Sequence, residues 1–535
     1  MHLFMTNRLC SRRAGALLAC LALAMAALQA DGTGSPLIDA VKGGDRAAAR
    51  RLLTTRVDVN ATEADGTTAL HWAVRADDRE LVTMLLRTGA RANARNRYGV
   101  TPMRLAAQNG SAEILAALIE AGASPDTTNA EGETALMTAA RAGSIPAVQL
   151  LAKHGANVNA REDWFGETAM MWAAAENHAD MVRTLAALGG DIDARSTDKE
   201  PPVLEFPQSG GPNMPFPRGG WTPLMYAARE GAIDAARTLV DLGADLNVAA
   251  LAQTDVVLTD AVRKNAGRVG TTALVYAIIN AHFDLAAMLV EKGADPNIVD
   301  TSGMGALYAA VEWNTLQWVQ SRPAPIWRDR LDGAGLVQVL LKHGADPNAK
   351  LTAAPIKISL DPGATLNFGR GATPLMRAAR TNDVDSIRHL LAGGADPNAA
   401  LPDGTTVLMI AAGQGLGAPR GDGPRIRVPT EAGAMQAVTL LLDGGAKVDA
   451  TNNQGATALH VAVNRSADIV RLLVARGADV NAKNKAGFTA LDVASGRGGF
   501  GGRRGGGGGG GAPAPNPVRE KSAAVLKELG AGQAP

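Results

Sequence analysis

Cysteine is nearly absent from this chain of 535 residues, and its two copies, Cys10 and Cys20, lie close to the N-terminus. Aromatic residues make up only 4% of the sequence although apolar residues reach 46%, so an interior would consist of alanine, leucine and valine rather than large rings. The formal net charge is +1, so the protein has no overall electrostatic field that would attract nucleic acid or an anionic membrane. Beyond residue 20 the composition therefore excludes disulfides and thiolate chemistry.

Sequence motifs of common enzymes are also missing. The chain contains no G-x-x-x-x-G-K-[ST], H-E-x-x-H or G-x-S-x-G sequence. An enzyme would need a catalytic group in an inserted loop, where the acids Glu205 and Asp422 are the visible candidates and neither has a paired partner nearby in sequence. We therefore expect a protein that is not an enzyme and that uses no cofactor and no metal.

The first 30 residues have the pattern of a secretory signal peptide. Three arginines precede the apolar stretch 14–28, and Ala24-Met25-Ala26 resembles a cleavage site. Two other interpretations are a lipoprotein box that ends at Cys20 and a buried first helix. We expect an exported protein, periplasmic or secreted, with no transmembrane helix in the mature chain. Removal of residues 1–30 would leave 50 basic and 52 acidic residues, a net charge of −2.

One pattern returns along nearly the whole chain. It reads G-x-T-x-L-x-x-A, then a stretch that ends in L-L or L-V, then G-A-D-x-N-A. Its first glycines are Gly66, Gly99, Gly132, Gly166, Gly220, Gly270, Gly303, Gly371, Gly404, Gly455 and Gly487. Successive spacings of 33, 33, 34, 54, 50, 33, 68, 33, 51 and 32 residues show a base period near 33. Such a period predicts stacked helix pairs.

In period and motif the chain resembles ankyrin-repeat proteins from about residue 35 to about residue 530. The clearest copies are GTTALHWAVRADDRELVTMLLRTGARANA from Gly66 and GATALHVAVNRSADIVRLLVARGADVNA from Gly455. The resemblance implies an all-α fold, an ankyrin-repeat α-solenoid of about twelve helix-turn-helix units with finger loops and several insertions. It also implies a scaffold that binds a protein through its finger loops and its concave helix face.

Within one copy, individual positions have separate roles. We expect Gly455 to form a tight turn, Thr457 to cap the first helix, and Gly477 to end the second helix in a left-handed conformation. The second helix is predicted to bury four apolar side chains, which are Ile469, Val470, Leu472 and Leu473. Because one such helix pair cannot cover its own apolar face, stability must come from stacking on neighbours.

The repeat pattern also predicts the organisation of the chain. A signal peptide at 1–30 precedes a degenerate capping repeat at 31–64, an array at 65–495, a Gly/Pro-rich loop at 496–517 and a C-terminal capping helix and tail at 518–535. The predicted insertions in the array lie near 199–219, 249–269, 320–334, 351–370 and 415–431. The third and fifth fall between the two helices of one repeat, and the others fall at the finger edge. Insertions this long are either functional or disordered.

Aromatic residues suggest where a partner would bind. Trp164 and Phe165 lie at a finger tip one residue longer than its neighbours, where they form a binding hot spot or pack on an adjacent finger. The first insertion contains Phe206, Met214 and Phe216, which support binding at the same finger edge. The alternative is that this segment is a plain extended linker. A second group on the first helices lines an inner groove or fills the core, and comprises Trp72, Trp172, Tyr226 and Tyr276.

In each repeat, the residue directly before the position of this second group is also informative. It is His71 or His460 in two repeats and methionine in five others. The resemblance implies a structural contact between this residue and the loop of the next repeat. Methionines one repeat apart would be about 10 Å from each other, too far to share one metal ion. This row is therefore interpreted as structural.

Two further motifs have structural alternatives. The segment 496–511 resembles an RGG box, with Arg497, Phe500, Arg503 and Arg504 available to stack on bases, but its other interpretation is a flexible loop, and we expect no nucleic-acid partner. Asn60, Asn109 and Asn464 begin N-x-[ST] glycosylation sequons that coincide with ordinary repeat positions.

The sequence thus supports a first hypothesis of an exported, monomeric scaffold that binds a protein partner. A second hypothesis is a structural spacer that stabilises an envelope complex through its length alone. Deletion of one internal repeat would distinguish them, since a spacer should tolerate the loss and a patch-specific binder should not.

Overall fold

A computed structural model of the chain describes residues 35–197, 219–250, 270–314, 329–353, 368–413, 430–497 and 516–532. The predicted signal peptide and most of each predicted insertion lie outside these ranges. Within them the chain forms 24 α-helices, and extended structure is limited to isolated β-bridges such as that between Thr62 and Thr68. The predicted all-α array of about twelve helix pairs is confirmed.

The helices belong to two compact units. Among the described residues, unit 1 contains those up to Trp164, with Thr168–Met170 and Thr184–Gly190. Unit 2 contains Phe165–Glu167, Met171–Arg183 and the described residues from Asp191 onward. The helices of unit 1 are α1 (Pro36–Lys42), α2 (Arg46–Leu53), α3 (Ala69–Arg75), α4 (Arg79–Arg87), α5 (Pro102–Gln108), α6 (Ala112–Glu120), α7 (Ala135–Arg141) and α8 (Ile145–Lys153). Two helices contribute residues to both units, α9 (Ala169–Ala175) and α10 (Ala179–Ala187).

Unit 2 continues the same alternation of first and second helices. Its helices are α11 (Pro223–Glu230), α12 (Ile233–Asp241), α13 (Ala273–Ile279), α14 (Phe283–Glu291), α15 (Ala306–Asn314), α16 (Gly333–Lys342), α17 (Pro374–Thr381), α18 (Val384–Ala392), α19 (Val407–Ala411), α20 (Glu431–Asp443), α21 (Ala458–Ala462), α22 (Ala467–Ala475), α23 (Ala490–Ala494) and α24 (Pro517–Glu528). Within each unit a first helix packs on its own second helix and on the next first helix, as α3 does on α4 and α5. This stacking buries the apolar stripes that one pair leaves open.

The local structure of a repeat follows its sequence closely. The Thr68 hydroxyl accepts a hydrogen bond from the backbone N–H of His71 and caps α3. Gly477 has a φ of 94°, so it ends α22 in the predicted left-handed conformation. Ile469, Val470 and Leu473 are buried as predicted. The prediction for Leu472 was wrong, because this side chain is only half-buried.

A bridge made by one carboxamide joins successive repeats, and it explains the asparagine of the G-A-D-x-N motif. Asn297 accepts a hydrogen bond at 2.8 Å from the backbone N–H of Asp346 in the next repeat and donates one at 2.9 Å to the carbonyl of Gly344. Asn348 makes the same pair of contacts one repeat later. An amide can do both because it carries a donor and an acceptor on one planar group.

The helix bounds correct three predicted limits. Helix α16 begins at Gly333 and α20 begins at Glu431, so the third and fifth insertions end before residues 333 and 431 and not at 334 and 431 as predicted. The closing helix α24 begins at Pro517, where proline suits the first helical turn, rather than at residue 518.

Candidate functional site

The finger loops are the segments between one helix pair and the next, and in unit 1 their tips are joined by backbone hydrogen bonds. The N–H of Arg97 donates to the carbonyl of Asp65 at 2.7 Å, and the N–H of Asp163 donates to the carbonyl of Glu131 at 2.8 Å. These bonds pass from one finger to the following one. The finger of Asp65 is thus bonded to that of Arg97, and the finger of Glu131 to that of Asp163, so the backbone of each of these tips is held to one neighbouring finger.

Two aromatic side chains at these tips are open to solvent. Tyr98 is 61% exposed and Trp164 is 43% exposed, and both belong to unit 1. The N–H of Tyr98 donates to the Asn96 side chain at 3.0 Å, and the N–H of Trp164 donates to the buried carboxylate of Glu162 at 2.7 Å. Each ring thus stands on a loop whose backbone is fixed by a neighbouring side chain.

Tyr98 did not emerge from the sequence patterns, although a signal was present. It directly precedes Gly99, just as Phe165 directly precedes Gly166, so the two residues share one position in the repeat. The guanidinium carbon of Arg97 lies 5.1 Å from the centre of the Tyr98 ring, and Arg97 also donates to the Tyr98 hydroxyl at 2.9 Å. This tip therefore combines an exposed ring with a positive charge.

Phe165 has a different environment from Trp164. It is half-buried, it belongs to unit 2, and its carbonyl accepts a hydrogen bond from the N–H of Thr197 at 2.6 Å. Phe206, Met214 and Phe216, the other aromatic and apolar candidates at the finger edge, lie outside the described residues.

On the first helices, Trp72 lies among charged groups of unit 1. Its Nε1 donates to the Glu63 carboxylate at 2.7 Å, and its ring is half-buried. The Lys42 ammonium lies 4.4 Å and the Arg75 guanidinium carbon 5.5 Å from the ring centre. Cation–π contacts of this length stabilise both partners by roughly 0.5–1 kcal/mol each at partly exposed sites.

In unit 2 the corresponding residues form an aromatic cluster. One carboxylate, that of Glu167, accepts from Nε1 of Trp172 and from the hydroxyl of Tyr226, both at 2.7 Å. The ring of Trp221 lies 5.5 Å from that of Tyr226 and 4.6 Å from that of Tyr276, centre to centre. Burial, together with the negative charge of Glu167, raises the pKa of the Tyr226 hydroxyl well above its usual range, so it stays a proton donor.

The burial of this cluster limits its contact with a partner. Tyr226 is 3% and Tyr276 7% exposed, while Trp172 is half-buried. Trp221, which the sequence patterns did not single out, is also buried, and its ring contacts those of both tyrosines. Among the described residues, the exposed large aromatic side chains are therefore Tyr98 and Trp164 of unit 1 and not the members of this cluster.

The two histidines of the repeat motif have the structural role that the resemblance implied. Nε2 of His71 lies 3.1 Å from the carbonyl of Val100, and Nε2 of His460 lies 3.0 Å from the carbonyl of Phe488, each in the next repeat. Where methionine replaces histidine, Met137 Sδ instead receives the N–H of Thr134 at 3.5 Å. The two histidines therefore connect repeats, whereas Met137 contacts the capping threonine of its own repeat.

The sequon asparagines are likewise used for structure. Asn60 donates to the carbonyl of Gly89 at 3.0 Å, Asn109 donates to that of Val74 at 2.7 Å, and the Asn464 side chain accepts from Arg519 at 2.6 Å. Of the Gly-rich segment, Arg497 is described, whereas Phe500, Arg503 and Arg504 lie outside the described residues.

Across the part of the chain that the structure describes, no group of three or more His, Cys, Asp and Glu side chains is arranged to hold a metal ion. In the same part of the chain, none of the helices combines the length and the apolar character needed to cross a membrane.

Models of known protein families match most of the repeats that the structure describes. A model described as "Ankyrin repeats (3 copies)" matches residues 37–129, 103–196 and 430–499. A model described as "Ankyrin repeats (many copies)" matches residues 274–320, and one described as "Ankyrin repeat" matches 219–250 and 370–400. A comparison with curated proteins finds no match.

Proposed function

Since this chain belongs to the ankyrin-repeat family, whose repeats generally mediate protein–protein interaction, we propose that it is an exported scaffold that binds a protein partner through the finger tips of unit 1. One observation carries this assignment above the others. Tyr98 and Trp164 are large exposed aromatic side chains on finger loops of unit 1 that lie two repeats apart, in a chain that has few aromatic residues.

The energetics of such a surface favour binding. Tyrosine and tryptophan are enriched among interface residues that dominate binding energy, because each covers a large area at a small cost in conformational entropy. The bonds from Arg97 to Asp65 and from Asp163 to Glu131 hold the loops before a partner arrives. A preformed loop loses less entropy on association, so more of the contact energy remains as affinity.

Export is supported by the N-terminal pattern and by the cysteine distribution. Arg12 and Arg13 precede the apolar stretch 14–28, as in secretory signals. With Cys10 and Cys20 both inside the predicted signal, the mature chain would carry no thiol that an oxidising compartment could modify. Detection of the mature N-terminus in a periplasmic or culture fraction tests this part of the proposal.

The binding surface is tested with two double variants of the full chain. Tyr98→Ala with Trp164→Ala removes both exposed finger-tip rings, whereas Leu188→Ala with Leu242→Ala removes two exposed apolar side chains at the ends of second helices. Both pairs are used as bait against the native extracellular or periplasmic fraction, and bound proteins are quantified by mass spectrometry.

We expect a partner that wild type and the leucine variant retain and that the aromatic variant loses by at least about tenfold, equivalent to about 1.4 kcal/mol. Circular dichroism should show equal helix content in all three proteins, because neither pair of side chains is in the core. Equal capture by the two variants would overturn the assignment to the finger tips.

A further inference from the structure

Asn382 lies just before the second helix α18 of its repeat, at the position that Asn177 holds in an earlier repeat of unit 2. Both asparagines have a left-handed backbone, with φ of 54° and 59°. The Asn177 carboxamide oxygen accepts hydrogen bonds from the backbone N–H groups of Asp234 at 3.0 Å and Ala235 at 2.9 Å. These two groups belong to the first turn of α12 in the next repeat. Asn177 therefore caps the second helix of its neighbour.

The carboxamide of Asn382 makes no such contact. Asn382 is 7% exposed, and neither its Oδ1 nor its Nδ2 has a hydrogen-bond partner among the described residues. Burial removes water from this amide, so it is costly to leave both its donor and its acceptor unpaired. The next repeat explains why the cap is missing.

Helix α20 of that repeat is one turn longer than its counterpart α12. Helix α12 covers the 9 residues Ile233–Asp241, and α20 covers the 13 residues Glu431–Asp443. Each ends at an aspartate two residues before a left-handed glycine, so the additional residues of α20 are the first four, 431–434, about one helical turn. With this turn present, the N–H groups of Gln436 and Ala437 donate to carbonyls four residues earlier and are closed to Asn382.

The additional turn lies over Asn382 and is held by two contacts. A Cβ atom at Gly433 would lie 3.9 Å from Asn382 Cβ and 3.7 Å from the Asn382 carbonyl oxygen. The Thr430 hydroxyl accepts the N–H of Gly433 at 3.0 Å, and the Glu431 carboxylate accepts the hydroxyl of Ser466. Glycine is a poor helix former, so Gly433 weakens the turn that these contacts hold.

We propose that this first turn of α20 exchanges between its helical state and an unwound state. In the unwound state the helix begins at Met435, and Asn382 caps it in the way that Asn177 caps α12. The Asn382 oxygen then accepts from the N–H groups of Gln436 and Ala437, which are the equivalents of the two groups that Asn177 binds. Unwinding gives the buried amide the partners that it lacks, at the loss of the two contacts that hold the additional turn.

The two states differ in the surface that they present. The additional turn is part of the wall of a groove between α20 and α22, which Glu431, Ala432 and Met435 line from one side and Asp468 and Leu472 from the other. Unwinding removes Glu431 and Ala432 from that wall. The state of the turn therefore decides whether the groove is complete, and it does so independently of the finger tips of unit 1.

Hydrogen exchange of the full chain, read at single amides by mass spectrometry, distinguishes the two states. In the unwound state the amides of Ala434 and Met435 are open to water, whereas those of Gln436 and Ala437 remain bonded to Asn382. Asn382→Gly removes the carboxamide and is compatible with the left-handed backbone. We expect it to slow exchange at Ala434 and Met435 by about tenfold, because the unwound state loses its cap and the helical state loses its buried unpaired amide.

A second variant shifts the balance the other way. Thr430 is exposed, and Thr430→Ala removes the cap of the additional turn without a change in the core. We expect exchange at Ala434 and Met435 to become about fivefold faster while Gln436 and Ala437 stay slow. When Asn382→Gly is added to Thr430→Ala, the amides of Gln436 and Ala437 should become fast as well.

Asn177→Gly is the matched control. Its carboxamide already caps α12, so the change should speed exchange at Asp234 and Ala235, opposite in direction to the effect of Asn382→Gly.

Two results would overturn the proposal. One is unchanged or faster exchange at Ala434 and Met435 in Asn382→Gly, as expected if a buried water satisfies the amide in a single state. The other is equal acceleration of all four amides in Thr430→Ala, which would indicate fraying without a cap from Asn382. If Asn382→Gly fails to fold, the pattern in Thr430→Ala decides alone.

Discussion

Nε2 of His71 lies 3.1 Å from the carbonyl oxygen of Val100, which belongs to the next repeat. On the other side of the ring, Nδ1 accepts the backbone N–H of Thr68 at 3.2 Å. Because an acceptor nitrogen carries no proton, the ring is neutral and Nε2 is the donor to Val100. One side chain thus caps its own helix and holds the neighbouring repeat, but only in its neutral form.

This arrangement makes the array sensitive to acid. Burial lowers the pKa of His71 and of His460 from the ordinary value of 6.5. A lowered pKa in the folded state means that the stabilisation is present above the unfolded value and is lost as the pH falls through the folded one. We expect the urea midpoint of wild type to fall between pH 7.5 and pH 5, and the double variant His71→Met, His460→Met to show a smaller fall.

Methionine is the matched replacement because the chain itself uses it at this position, for example at Met137. The exposed His343 provides the control, and His343→Met should leave the pH dependence of wild type unchanged. Parallel pH profiles for wild type and the double variant would contradict the prediction.

Asp193, like Asp126 and Asp449, holds the position where most repeats have the bridging asparagine. Its carboxylate accepts the N–H of Asp245 at 3.0 Å but, unlike Asn297, it cannot donate to a carbonyl of the next repeat. Burial raises its pKa, and the neighbouring charges of Asp245 and Asp191 raise it further. The ionised form is therefore disfavoured in the folded protein.

From this we expect Asp193→Asn to be stabilising by about 1 kcal/mol near neutral pH. A carboxyl group with a raised pKa contributes its stability below the unfolded value, and that contribution disappears as the pH rises through the folded value. The advantage of the variant over wild type should therefore grow between pH 4 and pH 7, as measured by urea unfolding. The reverse change, Asn297→Asp, should be destabilising, and a gain of the same size there would refute this explanation.

Two glycines with the same backbone conformation should respond differently to alanine. Gly404 has a φ of 80° and Gly344 one of 86°. A Cβ atom at Gly404 would lie 2.8 Å from the Asn453 nitrogen in the next finger, whereas one at Gly344 would meet nothing within 4 Å. Gly344→Ala should cost about 1–2 kcal/mol from backbone strain alone, and Gly404→Ala about 1–3 kcal/mol more from the clash.

Hydrogen exchange gives a local measurement of this difference. The Asn453 N–H donates to the carbonyl of Asp403 at 2.8 Å, and this bond between fingers should exchange faster in Gly404→Ala but not in Gly344→Ala. Equal exchange in both variants would show that the finger yields without breaking the bond.

Features that depend on a few neighbouring residues could be read from the sequence. The helix cap at Thr68 and the left-handed turn at Gly477 follow from local backbone chemistry, which the motif repeats in most copies. The period of 33 residues in turn required helix pairs to stack, because one pair cannot bury its own apolar stripe.

Contacts between repeats were decided by the tertiary structure. Leu472 fits the apolar pattern yet is half-buried, Arg377 is charged yet buried, and Tyr98 and Tyr226 are both tyrosines with opposite exposure. The reason is geometric, since burial depends on which side chains the next repeat brings to the interface, and these are distant in sequence. The local sequence determined the helix pairs and their turns. The stacking of repeats decided which aromatic rings and which charged side chains remained exposed.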